Sequence, residues 1–142
     1  MAEAERTIDV NAAPGDLYAV ITSYAEYAEF LPGIESATVL SRDGNTVCVR
    51  FVLNIVKRVT YTLALVEDPP LAVRWSLVEG DLRANAGSWQ LAPTGSGVRA
   101  TYKVEVEVGM FVPGAILSRL VGETLPATLH AFAARAESRS KD

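Results

Sequence analysis

The stretch "VRATYKVEVEV", residues 98–108, alternates apolar and polar side chains along its whole length. The apolar face carries Val98, Ala100, Tyr102, Val104, Val106 and Val108, and the polar face carries Arg99, Thr101, Lys103, Glu105 and Glu107. A period of two is typical of a β-strand, because successive side chains point to opposite sides of the sheet. One dry face and one wet face indicate an antiparallel sheet that is covered on one side only.

The same alternation recurs through most of the preceding chain. Further strands are predicted over 6–10, 34–42, 46–57, 59–68, 71–79 and 84–92. The breaks between them, such as "RDGNT" and "PTGSG", are short and rich in turn residues. Short breaks favour antiparallel neighbours, because parallel strands need long crossover connections. The sequence therefore predicts a curved antiparallel sheet of about seven strands.

Two segments change to helical spacing. Residues 14–31 place apolar side chains on one helical face, and Ser23 is expected to break this segment into two short helices before Pro32. A long helix is predicted over 113–137, with a kink at Pro126 because proline lacks the backbone N–H that a helix interior needs. This long helix is expected to cover the dry face of the sheet and to leave a space beneath it. The last residues, "SRSKD", are expected to fray.

Composition limits the possible classes of function. A chain of 142 residues is long enough for one domain with a real core. The formal net charge of −4 argues against a nucleic-acid partner. The single cysteine, the lack of a signal-like leader and the lack of a run of about 20 apolar residues predict a cytoplasmic protein without a membrane span.

Three strings resemble the START-like (SRPBCC) superfamily, and within it the coenzyme-Q-binding and polyketide cyclase/dehydrase branch. They are "YAEFLPGIESATVL" at 27–40, "VRWSLVEGDLRANAGSWQLAP" at 73–93 with its Gly87 and Trp89, and "VPGAILSRLVGETLPATLHAFAARAE" at 112–137. The resemblance implies an α+β helix-grip (START/Bet v 1-like) fold, with two short helices after the first strand. It also implies that residues 1–142 form a single domain that grips its C-terminal helix around an apolar cavity.

The inward-facing side chains are the candidates for lining that cavity. From strand phase and helical spacing, together with the resemblance, the expected ligand-binding residues are Tyr61, Trp75, Trp89, Tyr102, Leu117, Val121, Thr124 and Thr128. By analogy with the family, the expected entrance residues are Tyr27, Phe30, Leu31, Met110 and Phe111. Buried Tyr and Trp side chains seek hydrogen-bond partners, which makes them natural determinants of specificity.

The sequence offers no recognisable catalytic group. One His and one Cys exclude the usual His/Cys metal clusters, so we expect no metal site, and no cofactor motif is present. His130 falls on the predicted outer side of the last helix, and Cys48 alternates out of phase with the dry face of its strand. Arg50 and Arg74 are likewise predicted to face outward.

Three functions remain open at this point. The first is binding of a hydrophobic small molecule such as a lipid, an isoprenoid quinone or a polyketide-like compound. The second, which the resemblance permits, is a polyketide cyclase or dehydratase that uses cavity shape and tyrosine hydroxyls. The third is a ribosome-associated interaction protein, as some relatives in this branch are. The sequence leaves the oligomeric state open.

Overall fold

The computed structural model describes residues 2–54, 57–108 and 114–140, apart from the side chains of residues 2, 114, 117, 120 and 121. The strands are β1 (Ala2–Val10), β2 (Ile34–Asp43), β3 (Thr46–Asn54), β4 (Arg58–Asp68), β5 (Ala72–Gly80), β6 (Leu82–Pro93) and β7 (Val98–Val108). They form one seven-stranded sheet in the order β1-β7-β6-β5-β4-β3-β2, and every neighbouring pair is antiparallel. The predicted sheet is confirmed, and β1 begins four residues earlier than expected.

Irregular pairing helps the sheet to curve. The register shifts at Thr62–Leu63 between β4 and β5, and again near Leu82 between β6 and β7. Gly80, which pairs with Tyr61 close to the first of these shifts, has φ 130°, and a Cβ atom there would come within 2.6 Å of the Thr60 carbonyl oxygen. Bulges bend a strand and increase its twist. The sheet therefore curls toward its dry face instead of lying flat.

The segment after β1 is a broken helix, as predicted. It comprises α1 (Pro14–Thr22), a short 3₁₀ turn (Tyr24–Glu26) and α2 (Tyr27–Phe30). The hydroxyl of Thr22 donates to the Tyr18 carbonyl at 2.9 Å, and that of Ser23 donates to the Ala19 carbonyl at 2.6 Å. Hydroxyls that bond backward in this way compete with the regular backbone pattern and bend helices. Two in succession account for the break at Ser23.

The C-terminal helix is also interrupted where proline predicts it. It runs as α3 (Gly114–Arg119), a wider π-type turn (Leu120–Thr124) and α4 (Leu125–Ser140). Pro126 is the second residue after the π turn, and its ring would collide with the carbonyl of Gly122 in a regular α-helix. The extra residue in the π turn relieves this collision.

The expected fraying at the C-terminus is wrong for residues 138–140. These residues continue α4, and the Ser140 hydroxyl donates to the Asp16 carboxylate at 2.6 Å. The backbone N–H of Ala13 in turn donates to the same hydroxyl at 3.3 Å. The end of α4 is thereby tied to the beginning of α1, which fixes the closing helix over the sheet.

The inward faces of the sheet and the helices form one core. From α4 the buried side chains are Leu125, Leu129, Phe132 and Ala136. Phe132 reaches the sheet, where its ring centroid lies 5.3 Å from that of Trp89. No helix in the described part of the chain is long and apolar enough to cross a membrane.

Candidate ligand-binding cavity

The sheet and the C-terminal helix do not fill the space between them. A cavity of about 170 Å³ remains. Its described walls comprise Ile21, Tyr27, Leu31, Pro32, Ile34, Phe51, Leu53, Tyr61, Leu63, Leu65, Val73, Trp75, Leu82, Asn85, Trp89, Tyr102, Val104, Val106, Thr124, Leu125, Thr128 and Phe132. None of these wall residues carries a formal charge at neutral pH. The walls are therefore apolar with a few uncharged polar groups, as is usual for small-molecule sites.

Aromatic rings form a continuous belt around this cavity. The members of this aromatic belt, in order of contact, are Trp75, Tyr102, Trp89, Phe132, Tyr27, Phe51 and Tyr61. Consecutive ring centroids lie between 5.0 and 5.9 Å apart. Such contacts stabilise by about 0.5–1.5 kcal/mol each beyond their buried area. The belt holds the side chains of the walls in fixed orientations.

Trp75 owes its position to a glycine on the neighbouring strand. Gly87 lies directly opposite Trp75 in the β5–β6 pairing. A Cβ atom on Gly87 would collide with the indole ring of Trp75 and with the Lys103 carbonyl. The indole N–H of Trp75 donates to the side-chain carbonyl of Asn85 at 3.0 Å. The glycine makes room for the ring, and the amide fixes its orientation.

Tyr61 and Tyr102 line the cavity, and their hydroxyls have no partner among the described residues. Neither makes a hydrogen bond to a described residue, and no described polar side-chain atom is both fully enclosed and unpaired. Burial raises the pKa of Tyr102 above its ordinary value. Burial, and then the charge that Tyr102 would carry, raise the pKa of Tyr61 in the same direction. Both hydroxyls therefore stay protonated at neutral pH and can donate hydrogen bonds.

The two predicted helix threonines lie at the rim of the cavity. Thr124 and Thr128 are half-buried and are part of the wall. Their hydroxyls make no hydrogen bond to the described residues, not even to the carbonyls of their own helix, as threonines in helices often do. Each hydroxyl remains able to donate or to accept.

The predicted entrance residues are placed in different ways. Tyr27 and Leu31 are buried in the wall, and the exposed Pro32 beside them brings the cavity to the surface. Phe30 is not part of the described wall; its ring packs on Phe132 at 5.5 Å, and the Arg135 guanidinium lies 4.8 Å above it. Met110 and Phe111 lie outside the described residues, as do the side chains of Leu117 and Val121.

The outward-facing candidates stay away from the cavity. His130, Arg50 and Arg74 are exposed, and Cys48 is half-buried on the outer side of β3. Their strand and helix phases place them where the sequence predicted. None of them is available to act on a molecule in the cavity.

A buried carboxylate that the sequence analysis missed, Glu67, lies near the cavity and forms an ion pair with the exposed Arg42. Glu67 accepts a hydrogen bond from the Tyr24 hydroxyl at 2.7 Å and is bound by Arg42 at 2.8 and 3.3 Å. Burial opposes ionisation, but the Arg42 and Tyr24 hydrogen bonds and the Arg42 charge outweigh it and lower the pKa of Glu67. The strand phase was the available signal, because Glu67 follows Leu63 and Leu65 on the inward face of β4.

Solved structures with the same architecture come from several bacteria. The protein TTHA0849 from Thermus thermophilus superposes with a TM-score of 0.82 at 25% identity, covering 98% of each chain. The Zhui aromatase/cyclase from a Streptomyces species has a TM-score of 0.82 at 18% identity and covers 97% of this chain and 94% of its own. A STAR-related lipid transfer protein from Xanthomonas axonopodis has a TM-score of 0.80 at 18% identity, covering 94% and 85%. At these identities the likeness establishes the START-like helix-grip fold.

Sequence comparison assigns the family. No curated protein matches the chain. The family model described as "Polyketide cyclase / dehydrase and lipid transport" matches residues 10–133. That range contains β2 to β7, the broken helix and most of α4, so it includes every described wall of the cavity. The chain belongs to the polyketide cyclase / dehydrase and lipid transport family.

Proposed function

We propose that this protein binds a hydrophobic small molecule in the cavity between the sheet and α4, a molecule of the lipid, isoprenoid quinone or polyketide-like class. The observation that carries the proposal is a space of about 170 Å³ with apolar walls and unpartnered hydroxyls. Burial of apolar ligand surface contributes about 25 cal/mol per Å² before the costs of association are subtracted. The family assignment, which includes lipid transport, supports the same function.

A cavity-filling substitution tests this proposal. Val104 is a wall residue in β7, and Val104→Phe would place a ring in the space that a ligand needs. The matched control is Val66→Phe, which makes the same change at a side chain that is 38% exposed. Mass spectrometry of organic extracts should find an apolar compound with the wild type and with Val66→Phe. Val104→Phe should yield at least tenfold less.

Thermal unfolding of both variants checks that they remain folded. Equal yields of bound compound from Val104→Phe and Val66→Phe, with both variants folded, would contradict binding in this cavity. Wild-type extracts without an apolar compound, together with no binding of added apolar ring compounds in titrations, would also contradict it.

A second candidate function is catalysis of ring closure or dehydration of a polyketide-like chain. Supporting it, Tyr61 and Tyr102 line one cavity, and after burial the charge that Tyr102 would carry also raises the pKa of Tyr61. Because burial raises both pKa values, these groups stay neutral and suit hydrogen-bond donation to a carbonyl oxygen on which negative charge develops, not proton abstraction. Tyr61→Phe and Tyr102→Phe should each slow turnover of a reactive polyketide analogue at least tenfold. Unchanged turnover in both variants would remove them from the mechanism.

A further inference from the structure

We propose that the ligand is a compact, uncharged ring compound with a hydrogen-bond acceptor such as a ketone oxygen, which rests on the binding function proposed above. The space available limits the size of the ligand. An engineered cavity of about 150 Å³ holds one benzene molecule, whereas pockets for larger organic ligands occupy about 300–1,000 Å³. A cavity of about 170 Å³ therefore suits a single ring with short substituents.

The walls also limit the charge of the ligand. Among the described wall residues only tyrosines can ionise below pH 12, and their pKa values are raised by burial. The nearby carboxylate of Glu67 is not part of the wall, and Arg42 and Tyr24 already bind it. A charged ligand would lose its hydration without gaining a counter-ion, which is costly in an apolar site. An uncharged ligand avoids this cost.

Several polar groups of the cavity wall carry hydrogen-bond donors that no described residue uses. An indole N–H can only donate, so the bond from Trp75 must be accepted by the carbonyl oxygen of Asn85. The Asn85 amide keeps two N–H donors that no described residue binds, beside the second lone pair of its carbonyl oxygen. The indole N–H of Trp89, which makes no hydrogen bond to a described residue, is also a donor. Together with the hydroxyls of Tyr61 and Tyr102, which can also donate, these N–H groups favour a ligand that accepts hydrogen bonds.

The aromatic belt favours a ring over a flexible chain. Tyr61 packs on Phe51 at 5.6 Å, and Tyr102 packs between Trp75 and Trp89 at 5.4 and 5.0 Å. These contacts hold both hydroxyls in place before a ligand arrives. A rigid ring loses little conformational entropy in such a preorganised site, and it can make edge-to-face contacts with the belt.

Four probes separate size, charge and hydrogen bonding. Acetophenone has one ring and a ketone, ethylbenzene lacks the acceptor, benzoate carries a charge, and farnesol is a long isoprenoid. Both tryptophans of the chain, Trp75 and Trp89, line the cavity, so their two indole N–H signals in NMR spectra of nitrogen-labelled protein report binding. Acetophenone should bind at least threefold more tightly than ethylbenzene or farnesol, and benzoate should bind more weakly than all three.

Tyrosine variants test directly whether the ligand accepts a hydrogen bond from the cavity wall. Tyr61→Phe or Tyr102→Phe should weaken acetophenone binding about twofold to tenfold, the loss of one hydrogen bond, and leave ethylbenzene binding unchanged. The matched control is Tyr18→Phe, because Tyr18 donates to the Ala72 carbonyl outside the cavity. This control should bind both probes like the wild type.

The outcomes distinguish this inference from the binding function itself. Tighter binding of farnesol than of acetophenone would contradict the inference that the ligand is compact, and tighter binding of benzoate would contradict the inference that it is uncharged. Either result would still be consistent with ligand binding in this cavity. Acetophenone and ethylbenzene could instead bind equally well, with neither tyrosine substitution changing their affinities. That result would contradict the proposed hydrogen-bond acceptor on the ligand, and the cavity would remain a purely apolar binding site. If none of the four probes shifts the indole signals, both the inference and the proposed function fail.

Discussion

The five tyrosines of this chain lie in or against the core, and their hydroxyls are used in two different ways. On the helical segment, Tyr18, Tyr24 and Tyr27 donate to the Ala72 carbonyl, the Glu67 carboxylate and the Ile21 carbonyl. On the sheet, Tyr61 and Tyr102 donate to no described residue and border the cavity. Both groups lie against the same core, so burial alone does not separate them. They differ in whether the hydroxyl donates a hydrogen bond to a described residue.

The difference indicates what each group of tyrosines is for. A buried hydroxyl that donates to the protein offsets its own loss of hydration and holds two elements together. The three helical tyrosines therefore fasten the broken helix to the sheet and to itself. A buried hydroxyl without a protein partner adds nothing of this kind to stability. Residues that break such a local rule are expected at functional sites, which is the role proposed for Tyr61 and Tyr102.

The largest expected effect is a loss of folding stability at high pH, to which both groups of tyrosines contribute. Burial raises the pKa of all five tyrosines above the ordinary value of 10.0, and that of Tyr18 to about 12. The folded state therefore holds these protons more tightly than the unfolded state. Their contribution to the free energy of unfolding is complete below pH 10 and is lost as pH rises. Above pH 10 each tyrosine lowers that free energy by about 1.4 kcal/mol per pH unit until its own folded-state pKa is reached.

Circular dichroism and tyrosinate absorbance, recorded together from pH 8 to pH 12, check this expectation. Alkaline unfolding and tyrosinate formation should coincide, because most of the hydroxyls ionise only when the chain opens. Two tyrosines that ionise near pH 10 in a protein with a native dichroism spectrum would contradict it. That result would show that water reaches Tyr61 and Tyr102 freely, and it would sharpen the division between the groups.

A smaller effect on stability is expected from Tyr24, the helical tyrosine whose hydroxyl donates to a charged carboxylate. Tyr24→Phe removes the hydroxyl that donates to Glu67 at 2.7 Å. Hydrogen bonds to charged groups contribute about 1.5–3 kcal/mol, so urea unfolding should show a loss of stability in this range. Tyr18→Phe, which removes a bond to the neutral Ala72 carbonyl at 3.0 Å, should cost only about 0.5–1.5 kcal/mol.

A double-mutant cycle isolates the contribution of the carboxylate. In a Glu67→Gln background the acceptor is neutral, so the cost of Tyr24→Phe should fall toward that of Tyr18→Phe. An equal cost of Tyr24→Phe in both backgrounds would mean that the charge of Glu67 contributes nothing to this bond. The helical group would then be held by ring packing, for example the contact of Tyr24 with Tyr27 at 5.8 Å.

Sequence periodicity predicted the elements that a one-sided sheet requires. In β7 every second residue from Val98 to Val106 is buried or half-buried, because the helix covers only that face. The same phase places Tyr61, Trp75, Trp89 and Tyr102 on the cavity wall. These positions follow from a local rule, since neighbouring side chains on a strand must alternate. The interruption at Pro126 follows from an equally local rule.

Periodicity did not predict the polar residues of the interior. Asn85 and Glu67 lie in phase with the buried face of their strands, but a search for apolar residues passes over them. Their partners are also set by the tertiary fold: Arg42 reaches Glu67 from 25 positions away. Phe30 shows a related limit, because helical spacing over so short a helix does not determine which side faces the cavity.

The smallest expected effect is the sharpest test of the comparison. Tyr61→Phe and Tyr102→Phe remove hydroxyls that bond to no described residue while the rings keep their contacts with Phe51 and Trp89. The free energy of unfolding should therefore change by less than about 0.5 kcal/mol, as for substitutions that break no specific contact. Urea unfolding with and without saturating acetophenone makes the measurement. Ligand should stabilise the wild type more than either variant, because stabilisation grows with affinity. A loss in the absence of ligand as large as that of Tyr24→Phe would show that these hydroxyls serve the fold, and the distinction between the two groups of tyrosines would disappear.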